Sequence, residues 1–166
     1  MVDRQVTYLE MTEPPRGPAQ RVQPEGLSIK AERLDVDSYL ALYRAVGDAV
    51  QWDSRLRMER TDLERLLSHE AMLLVILRDG EAAAGLCEFV GVGSLEIELA
   101  HFGIVPNLYG RGLGAALLTR ALQLCWQFSP TRIWLHTDTN DHPGALALYE
   151  RAGFRRYKQV VEAFPD

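Results

Sequence analysis

Apolar and polar residues change period several times along the chain, and these changes predict its elements. The middle of the chain carries three strand-like apolar runs separated by turn residues. Residues 72–78 lead into Asp79-Gly80, a pair typical of a type I′ hairpin, and residues 81–90 are the returning strand. Residues 91–94 turn the chain again, and residues 95–105 form a third strand. The pattern predicts an antiparallel meander rather than a βαβ series.

Two helices are predicted before the meander. Asp37 can cap a helix that Gly47 ends, and apolar residues recur within it at helical spacing. A capping box that starts at Thr61 predicts a second, short helix. Residues 47–60 between them are predicted to form a long loop with an exposed Trp52.

The last third of the chain predicts helix, strand, helix and strand in that order. Residues 112–128 are apolar on most sides and predict a largely buried helix, and residues 132–137 predict a strand parallel to the one before that helix. Pro143 suits the first turn of a last helix that Gly153 ends, and residues 154–161 form a final strand. The fold class is therefore α+β, with a mixed and mostly antiparallel sheet, flanking helices and one parallel βαβ crossover.

The beginning of the chain differs in composition from the rest. Residues 6–11 predict a short strand, and residues 13–25 carry four prolines, which favours an extended arm. The arm is either a free terminus or a strand that joins the sheet or a partner subunit. We divide the chain into a strand and proline-rich arm, residues 1–26, and one domain, residues 27–166.

Composition narrows the class of protein. The chain has 166 residues, which suits one domain with a sizeable core, and its net charge of −5 argues against a nucleic-acid partner. Cys87 and Cys125 lie among apolar neighbours and are expected to be buried and reduced. No apolar run approaches the roughly 20 residues of a membrane span, and no signal peptide is evident. These features predict a cytoplasmic protein without a membrane partner.

A glycine-rich segment between a predicted strand and a predicted helix carries the clearest chemistry. Pro106 ends the strand, and Gly110, Gly112 and Gly114 precede or open the helix. Glycines in this position leave backbone N–H groups bare beside the positive end of the helix dipole, which makes a site for a phosphate.

Two nucleotide-binding motifs compete for this segment. It matches the dinucleotide fingerprint G-x-G-x-x-A, with Asp138 near the place of a ribose-binding acid. However, residues 106–109 separate the strand from the first glycine, and the preceding chain is a meander rather than the start of a doubly wound sheet. A P-loop is excluded because no Gly-Lys-Ser/Thr follows.

From about residue 27 to its end, the chain resembles the GCN5-related N-acetyltransferase (GNAT) family. The family signature Q/R-x-x-G-x-G/A is matched from Tyr109 to Gly114, with Tyr109 in place of the usual Gln or Arg. Ile104-Val105-Pro106 fits the hydrophobic-x-Pro segment that leads into it. Residues 145–154, with a Leu-Tyr pair and a Gly-Phe end, resemble the second signature.

The resemblance implies acetyl-CoA as the acyl donor and assigns residues to it. Backbone groups of the strand residues Phe102, Gly103 and Ile104 would bind the pantetheine arm, and Asn140, after the next strand, would approach the cofactor. The glycine-rich segment would surround the pyrophosphate mainly with N–H groups; its residues are Tyr109, Gly110, Arg111, Gly112, Leu113, Gly114 and Ala115.

The resemblance also implies direct transfer to an amine, without a covalent enzyme intermediate. Tyr149 would be the general acid that protonates the departing thiolate, and Glu98 would be the base for the amine. Glu96 and His101 are alternatives for the base. Glu96 and Glu98 share one face of the strand, and His101 points to the other face unless a bulge intervenes.

These inferences lead to one principal hypothesis and its alternatives. The chain is expected to be an acetyl-CoA-dependent N-acetyltransferase that acts on a primary amine of a small molecule or peptide, in a pocket walled by residues 47–60 and the tail. The alternatives are a non-catalytic acyl-CoA-binding regulatory module and a different acyl donor such as succinyl-CoA. The family is frequently dimeric, so a homodimer is expected as one option. His136 and His142 lack the spacing of metal ligands, and no metal is expected.

Overall fold

A single seven-stranded sheet organises the protein in the computed structural model, which describes residues 1–15 and 26–165. The strand order is β2-β3-β4-β5-β6-β1-β7, and every neighbouring pair is antiparallel except β5 and β6, which are parallel. The strands are β1 (Val2–Met11), β2 (Leu27–Ala31), β3 (Met72–Asp79), β4 (Ala82–Val90), β5 (Glu96–Ile104), β6 (Arg132–Asp138) and β7 (Arg155–Phe164). The predicted mixed sheet with one parallel crossover is confirmed.

Helices cover both faces of the sheet and enclose two separate cores. The helices are α1 (Val36–Gly47), α2 (Arg60–Ser68), α3 (Leu113–Trp126) and α4 (Ala145–Ala152). Side chains of α1 and α2 pack on one face against Leu74, Ile76 and Leu86. Side chains of α3 and α4 pack on the opposite face, where α3 is apolar on most sides and largely buried.

The parallel pair β5–β6 is short, and this shapes the middle of the sheet. The two strands pair only from Glu96 and Arg132 to Glu98 and Trp134. Towards the carboxyl end of β5 the two strands are no longer paired, because β6 stays aligned with β1 while β5 follows β4. A gap therefore opens between two adjacent strands near the centre of the sheet.

A β-bulge in β5 decides which side chains face each helix layer. On β4, Glu88 pairs with His101 and Phe89 pairs with Leu99, so Ala100 is the extra residue. Strict alternation would have placed His101 on the α3 face together with Ile97 and Leu99. The bulge places His101 on the α1 face instead, which is the exception that the sequence analysis left open.

The starts of three helices differ in detail from the predictions. Asp35, not Asp37, caps α1, because its carboxylate accepts the Ser38 N–H at 2.7 Å. The capping box at Thr61 does not form, since α2 begins at Arg60 without a side-chain cap. Helix α4 begins at Ala145, so Pro143 precedes its first turn.

The positions of the predicted turns and the states of the two cysteines agree more closely with the structure. The hairpin between β3 and β4 forms, although only Gly80 has a positive φ, of 62°, so the turn is not type I′. Gly153 ends α4 with a φ of 115°, as expected for a helix stop. Cys87 and Cys125 are both buried and free of disulfides, as predicted.

The first strand lies inside the sheet, between β6 and β7. Of the predicted arm, residues 16–25 lie outside the described residues. The domain boundary at residue 27 stays a prediction, and β1 shares the sheet with the elements that follow this boundary. In the described ranges, no helix combines the length and apolar character needed to cross a membrane.

Candidate active site

A cavity of about 440 Å³ occupies the gap between β5 and β6. Its lining comes from both faces of the sheet, so the cavity connects the α1 side with the α3 and α4 side. On the α1 side it is lined by Tyr43, Val46, Gln51, Trp52 and Ser54; on the other side by Leu113, Gly114, Ala115, Leu148 and Tyr149; and between them by residues 99–104 of β5 with His136 and Asp138 of β6.

Most residues that the sequence assigned to the acyl donor meet at this cavity. Every member of the proposed group lines it except Arg111 and Asn140, and Tyr149 lines it as well. Glu98 does not. The structure therefore brings the strand end, the glycine-rich segment and the α4 tyrosine together around one space.

The glycine-rich segment has the geometry of an anion site. Gly110 and Gly112 have φ values of 82° and 75°, and Gly112 is the N-cap of α3 without any side-chain cap. The N–H groups of residues 110–115 donate no hydrogen bond to any other described residue. These donors lie at the positive end of a 14-residue helix, where a phosphate group can bind them.

Tyr109 supplies an aromatic wall where the family signature has Gln or Arg. Its ring contacts the His142 ring edge-on, with centroids 4.5 Å apart. Both residues line the cavity. The departure from the signature thus changes one side chain at the edge of the site and leaves the backbone donors of Gly110 and Gly112 in place.

Tyr149 is a buried polar group that has no hydrogen-bond partner among the described residues. Its side chain is 6% exposed, and its ring packs edge-on against Phe102 and Phe154. The hydroxyl makes no hydrogen bond within the described part of the chain. Burial, with smaller effects from Asp141 and Cys87, raises the pKa of Tyr149 well above 10.0, so the phenol keeps its proton.

Asn140 lies in the turn after β6 rather than in the cavity lining. Its backbone N–H donates to Asp138 Oδ1 at 2.7 Å, and its side-chain amide contacts Gln51 Oε1 at 2.8 Å. This contact joins the turn to the loop after α1. A cofactor role for Asn140 stays a prediction.

The two acidic residues early in β5 lie on the face opposite Ile97 and Leu99, away from the core beneath α3. Glu98 is half-buried, and its carboxylate lies 3.8 Å from Nε2 of His136, which lines the cavity. Glu96 is exposed, 3.7 Å from Arg132. Trp52, expected to be exposed, is half-buried and packs against Tyr43 and His101 with ring centroids 5.3 and 4.8 Å apart.

A buried carboxylate beside the cavity, Glu88 of β4, was not among the predicted site residues. Glu88 is 0% exposed and accepts hydrogen bonds from the Tyr39 hydroxyl, from Arg55 Nε and Nη2 at 3.2 and 2.5 Å, and from His101 Nδ1 at 3.1 Å. Burial opposes its charge, but His101 and Arg55 outweigh burial and hold its pKa at about 2. A lone glutamate within the apolar run of β4 was the signal that could have revealed it.

This buried carboxylate predicts a specific acid sensitivity. Because the folded pKa of about 2 lies below the usual 4.5, Glu88 stabilises the fold above pH 4.5 and loses this contribution as the pH falls through 2. We expect Glu88 to account for about 3 kcal/mol of lost unfolding free energy across that window. Urea unfolding of the wild type and Glu88→Gln between pH 2 and 6 measures it. A stability difference between the two proteins that does not shrink with falling pH would contradict this expectation.

Three kinds of comparison place these features among known proteins. The model of the acetyltransferase (GNAT) family matches residues 37–154. Mycothiol acetyltransferases from Clavibacter michiganensis subsp. michiganensis and Geodermatophilus obscurus are 31% and 32% identical to this chain over 144 and 142 residues. These alignments cover 84% and 79% of this chain but 46% and 42% of the relatives, so the chain spans about half their length.

Solved structures share the architecture. A GCN5-related N-acetyltransferase from Sphaerobacter thermophilus is 26% identical with a TM-score of 0.64, covering 95% of this chain and 50% of that one. An aminoglycoside acetyltransferase from an uncultured soil sample has a TM-score of 0.69 at 15% identity, covering 86% of this chain and 97% of that one, and supports the fold alone. The family match spans most of the elements that build the cavity, from α1 to α4, and the chain belongs to the acetyltransferase (GNAT) family.

Proposed function

We propose that this chain is an acetyl-CoA-dependent N-acetyltransferase that transfers the acetyl group directly to a primary amine. The observation that carries the proposal is the row of N–H groups at residues 110–115, which donate to no other residue in the described ranges and lie beside a cavity that Tyr149 also lines. A pyrophosphate on these donors would leave the pantetheine arm to follow Phe102, Gly103 and Ile104 into the gap between β5 and β6. The thioester would then lie near Tyr149.

The chain's own groups supply what acyl transfer to an amine requires. The amine nitrogen bonds to the acetyl carbon as the carbon–sulfur bond breaks, so the amine must lose a proton and the sulfur benefits from gaining one. Tyr149 keeps its proton because it is buried, and it is proposed as the acid for the sulfur. Glu98, the base that the resemblance implies, is proposed as the acceptor of the amine proton, with Glu96 and His101 as its alternatives.

The acceptor amine is proposed to enter from the α1 side, where the loop after α1 contributes Trp52 and Ser54 to the cavity wall. The acceptor is proposed to be a small molecule or peptide. Because the relatives carry mycothiol acetylation in their names, the precursor amine of mycothiol belongs among the compounds tested. A cytoplasmic location and a homodimer stay predictions.

Calorimetric titration with acetyl-CoA tests the donor, and we expect saturable binding at micromolar to millimolar concentration. Release of free CoA is then followed with amino acids, polyamines, aminoglycosides, peptides and the mycothiol precursor, by chromatography where the acceptor itself has a thiol. Absence of binding at millimolar acetyl-CoA would refute the proposal. Tight binding without transfer to any acceptor would favour the regulatory module, and competition by succinyl-CoA would reveal a different acyl donor.

A further inference from the structure

The His101 ring is fixed by polar contacts at both of its nitrogens. Nδ1 lies 3.1 Å from Glu88 Oε2, and Nε2 lies 3.2 Å from the Tyr43 hydroxyl and 3.3 Å from Ser54 Oγ. The Trp52 and Tyr43 rings pack edge-on against the imidazole, with centroids 4.8 and 5.0 Å away. His101 also lines the cavity.

The charge of Glu88 determines which nitrogen of His101 carries the proton. A carboxylate that stays ionised can only accept hydrogen bonds, so Nδ1 must be the donor towards Glu88. The neutral imidazole then has its lone pair on Nε2, among the Tyr43 and Ser54 hydroxyls and beside the cavity. Arg55, whose Nη2 lies 2.5 Å from Glu88 Oε2, keeps this carboxylate charged although it is fully buried.

Glu98 does not have an equivalent setting. Its carboxylate is 30% exposed, lies outside the cavity lining and approaches Nε2 of His136 at 3.8 Å. His101 faces the cavity directly, and a buried carboxylate orients it from behind. A base must come within hydrogen-bond reach of the proton that it removes, which favours the imidazole over the carboxylate.

We propose that His101 accepts the proton of the acceptor ammonium through Nε2, and that Glu88 is the positioning residue that fixes its tautomer and stabilises the imidazolium. This assignment rests on the proposed acetyl transfer and selects His101 from the three candidate bases Glu96, Glu98 and His101. Glu88 touches neither substrate and acts only through His101. Glu98 then has no part in removing the proton.

Acid and base would lie on opposite faces of the sheet. His101 faces α1, whereas Tyr149 belongs to α4, and the cavity joins the two through the gap between β5 and β6. The amine proton goes to His101 Nε2 and the sulfur takes its proton from Tyr149, so each turnover leaves one imidazolium and one phenolate, which solvent or a direct relay returns to their starting states.

The charged and titratable groups around His101 come from β4, α1 and the loop after α1, and Arg4 of β1 with His136 and Asp138 of β6 lines the same cavity. Strand β4 contributes Glu88, and α1 contributes Tyr39 and Tyr43. The loop after α1 contributes Arg55, which is paired with Glu88, and Asp53, which lines the cavity and is paired with Arg57 at 2.6 Å. Within this set Glu88 is the one carboxylate bonded to the imidazole.

Nuclear magnetic resonance tests the tautomer without any substrate. Long-range proton–nitrogen spectra of histidine-labelled protein at neutral to mildly alkaline pH would show four imidazoles, and His101→Gln identifies the relevant one. We expect His101 protonated at Nδ1 and bare at Nε2, with the Nε2-protonated form gaining population in Glu88→Gln. An Nε2-protonated ring in the wild type would overturn the assignment.

Kinetics test the role, with the best acceptor from the amine panel. We expect His101→Gln to lower kcat about 100- to 10⁴-fold and to recover part of it at high pH, where the amine is already deprotonated. In a plot of kcat against pH, activity falls at low pH, and this fall is the acid limb of the kcat profile. Glu88→Gln should move the acid limb to lower pH with little change in the KM for acetyl-CoA. Glu98→Gln should leave the acid limb of the kcat profile at the same pH and should lower kcat less than about tenfold.

Tyr39→Phe is the matched control for Glu88→Gln, because it removes a different hydrogen bond from the same carboxylate and leaves the His101 contact intact. An equal shift of the acid limb in Tyr39→Phe, or a His101→Gln rate within threefold of the wild type, would overturn the assignment while acetyl transfer stands. If Glu88→Gln does not fold, His101→Gln and Glu98→Gln still decide which base acts. A wild type that transfers acetyl to no amine refutes the proposed function itself.

Discussion

Replacing Tyr149 by Phe is expected to lower kcat about 100- to 10⁴-fold and to leave the affinity for acetyl-CoA unchanged. The phenol lines the cavity and makes no hydrogen bond to the described residues, so its hydroxyl can face a leaving sulfur, and its raised pKa keeps it protonated. Steady-state release of CoA gives kcat, and calorimetry gives the affinity. A loss confined to kcat is the mark of a group that acts in the transition state rather than in binding the donor.

The stability of the Tyr149→Phe protein provides a control for folding. Deleting an unpartnered buried hydroxyl removes an uncompensated polar group, so the thermal midpoint should stay the same or rise. Phe keeps the edge-on contacts with Phe102 and Phe154. A Tyr149→Phe protein that is stable, binds acetyl-CoA and turns over at the wild-type rate would remove Tyr149 from the mechanism.

The parts of the fold that were predicted correctly are those that depend on residues close together in the sequence. Strand β6 was predicted over residues 132–137 and is observed at Arg132–Asp138, and the β3–β4 hairpin follows from two apolar runs joined at Asp79-Gly80. The start of α1 was less predictable because several acidic or hydroxyl residues lie near it. Asp35 and Asp37 both suit an N-cap, and only the backbone geometry of Asp35 decides between them.

The candidate site also has one part that is local in sequence and one part that depends on how distant segments pair. The anion site at Gly110 and Gly112 is contiguous in sequence, so a motif can reveal it. The contact between Glu88 and His101 depends on the register of two strands and on the bulge at Ala100, which moves His101 to the other face. A sequence without an alignment does not show such a bulge, which is why His101 could be placed only conditionally and Glu88 was overlooked.

Replacing Gly112 by Ala is expected to weaken acetyl-CoA binding roughly 10- to 150-fold. Alanine disfavours the φ of 75° that this residue adopts, so the loop either keeps a strained backbone or rotates its N–H donors away from the phosphate. Losing one hydrogen bond to a charged group costs about 1.5–3 kcal/mol, which corresponds to that range. The added Cβ meets no protein atom within 4 Å, so a steric clash inside the fold does not explain a loss.

Gly93→Ala separates this effect from general backbone strain. Gly93 lies between β4 and β5 with a φ of 98°, and an added Cβ there also meets nothing within 4 Å. Both variants should lower the thermal midpoint by similar amounts, but only Gly112→Ala should raise the Kd for acetyl-CoA. S-acetyl pantetheine, which lacks the diphosphate, should bind Gly112→Ala and the wild type equally. Equal losses for the two donors would mean that the N–H groups after Pro106 do not bind the diphosphate, and the assignment of this cavity to acetyl-CoA would lose its main support.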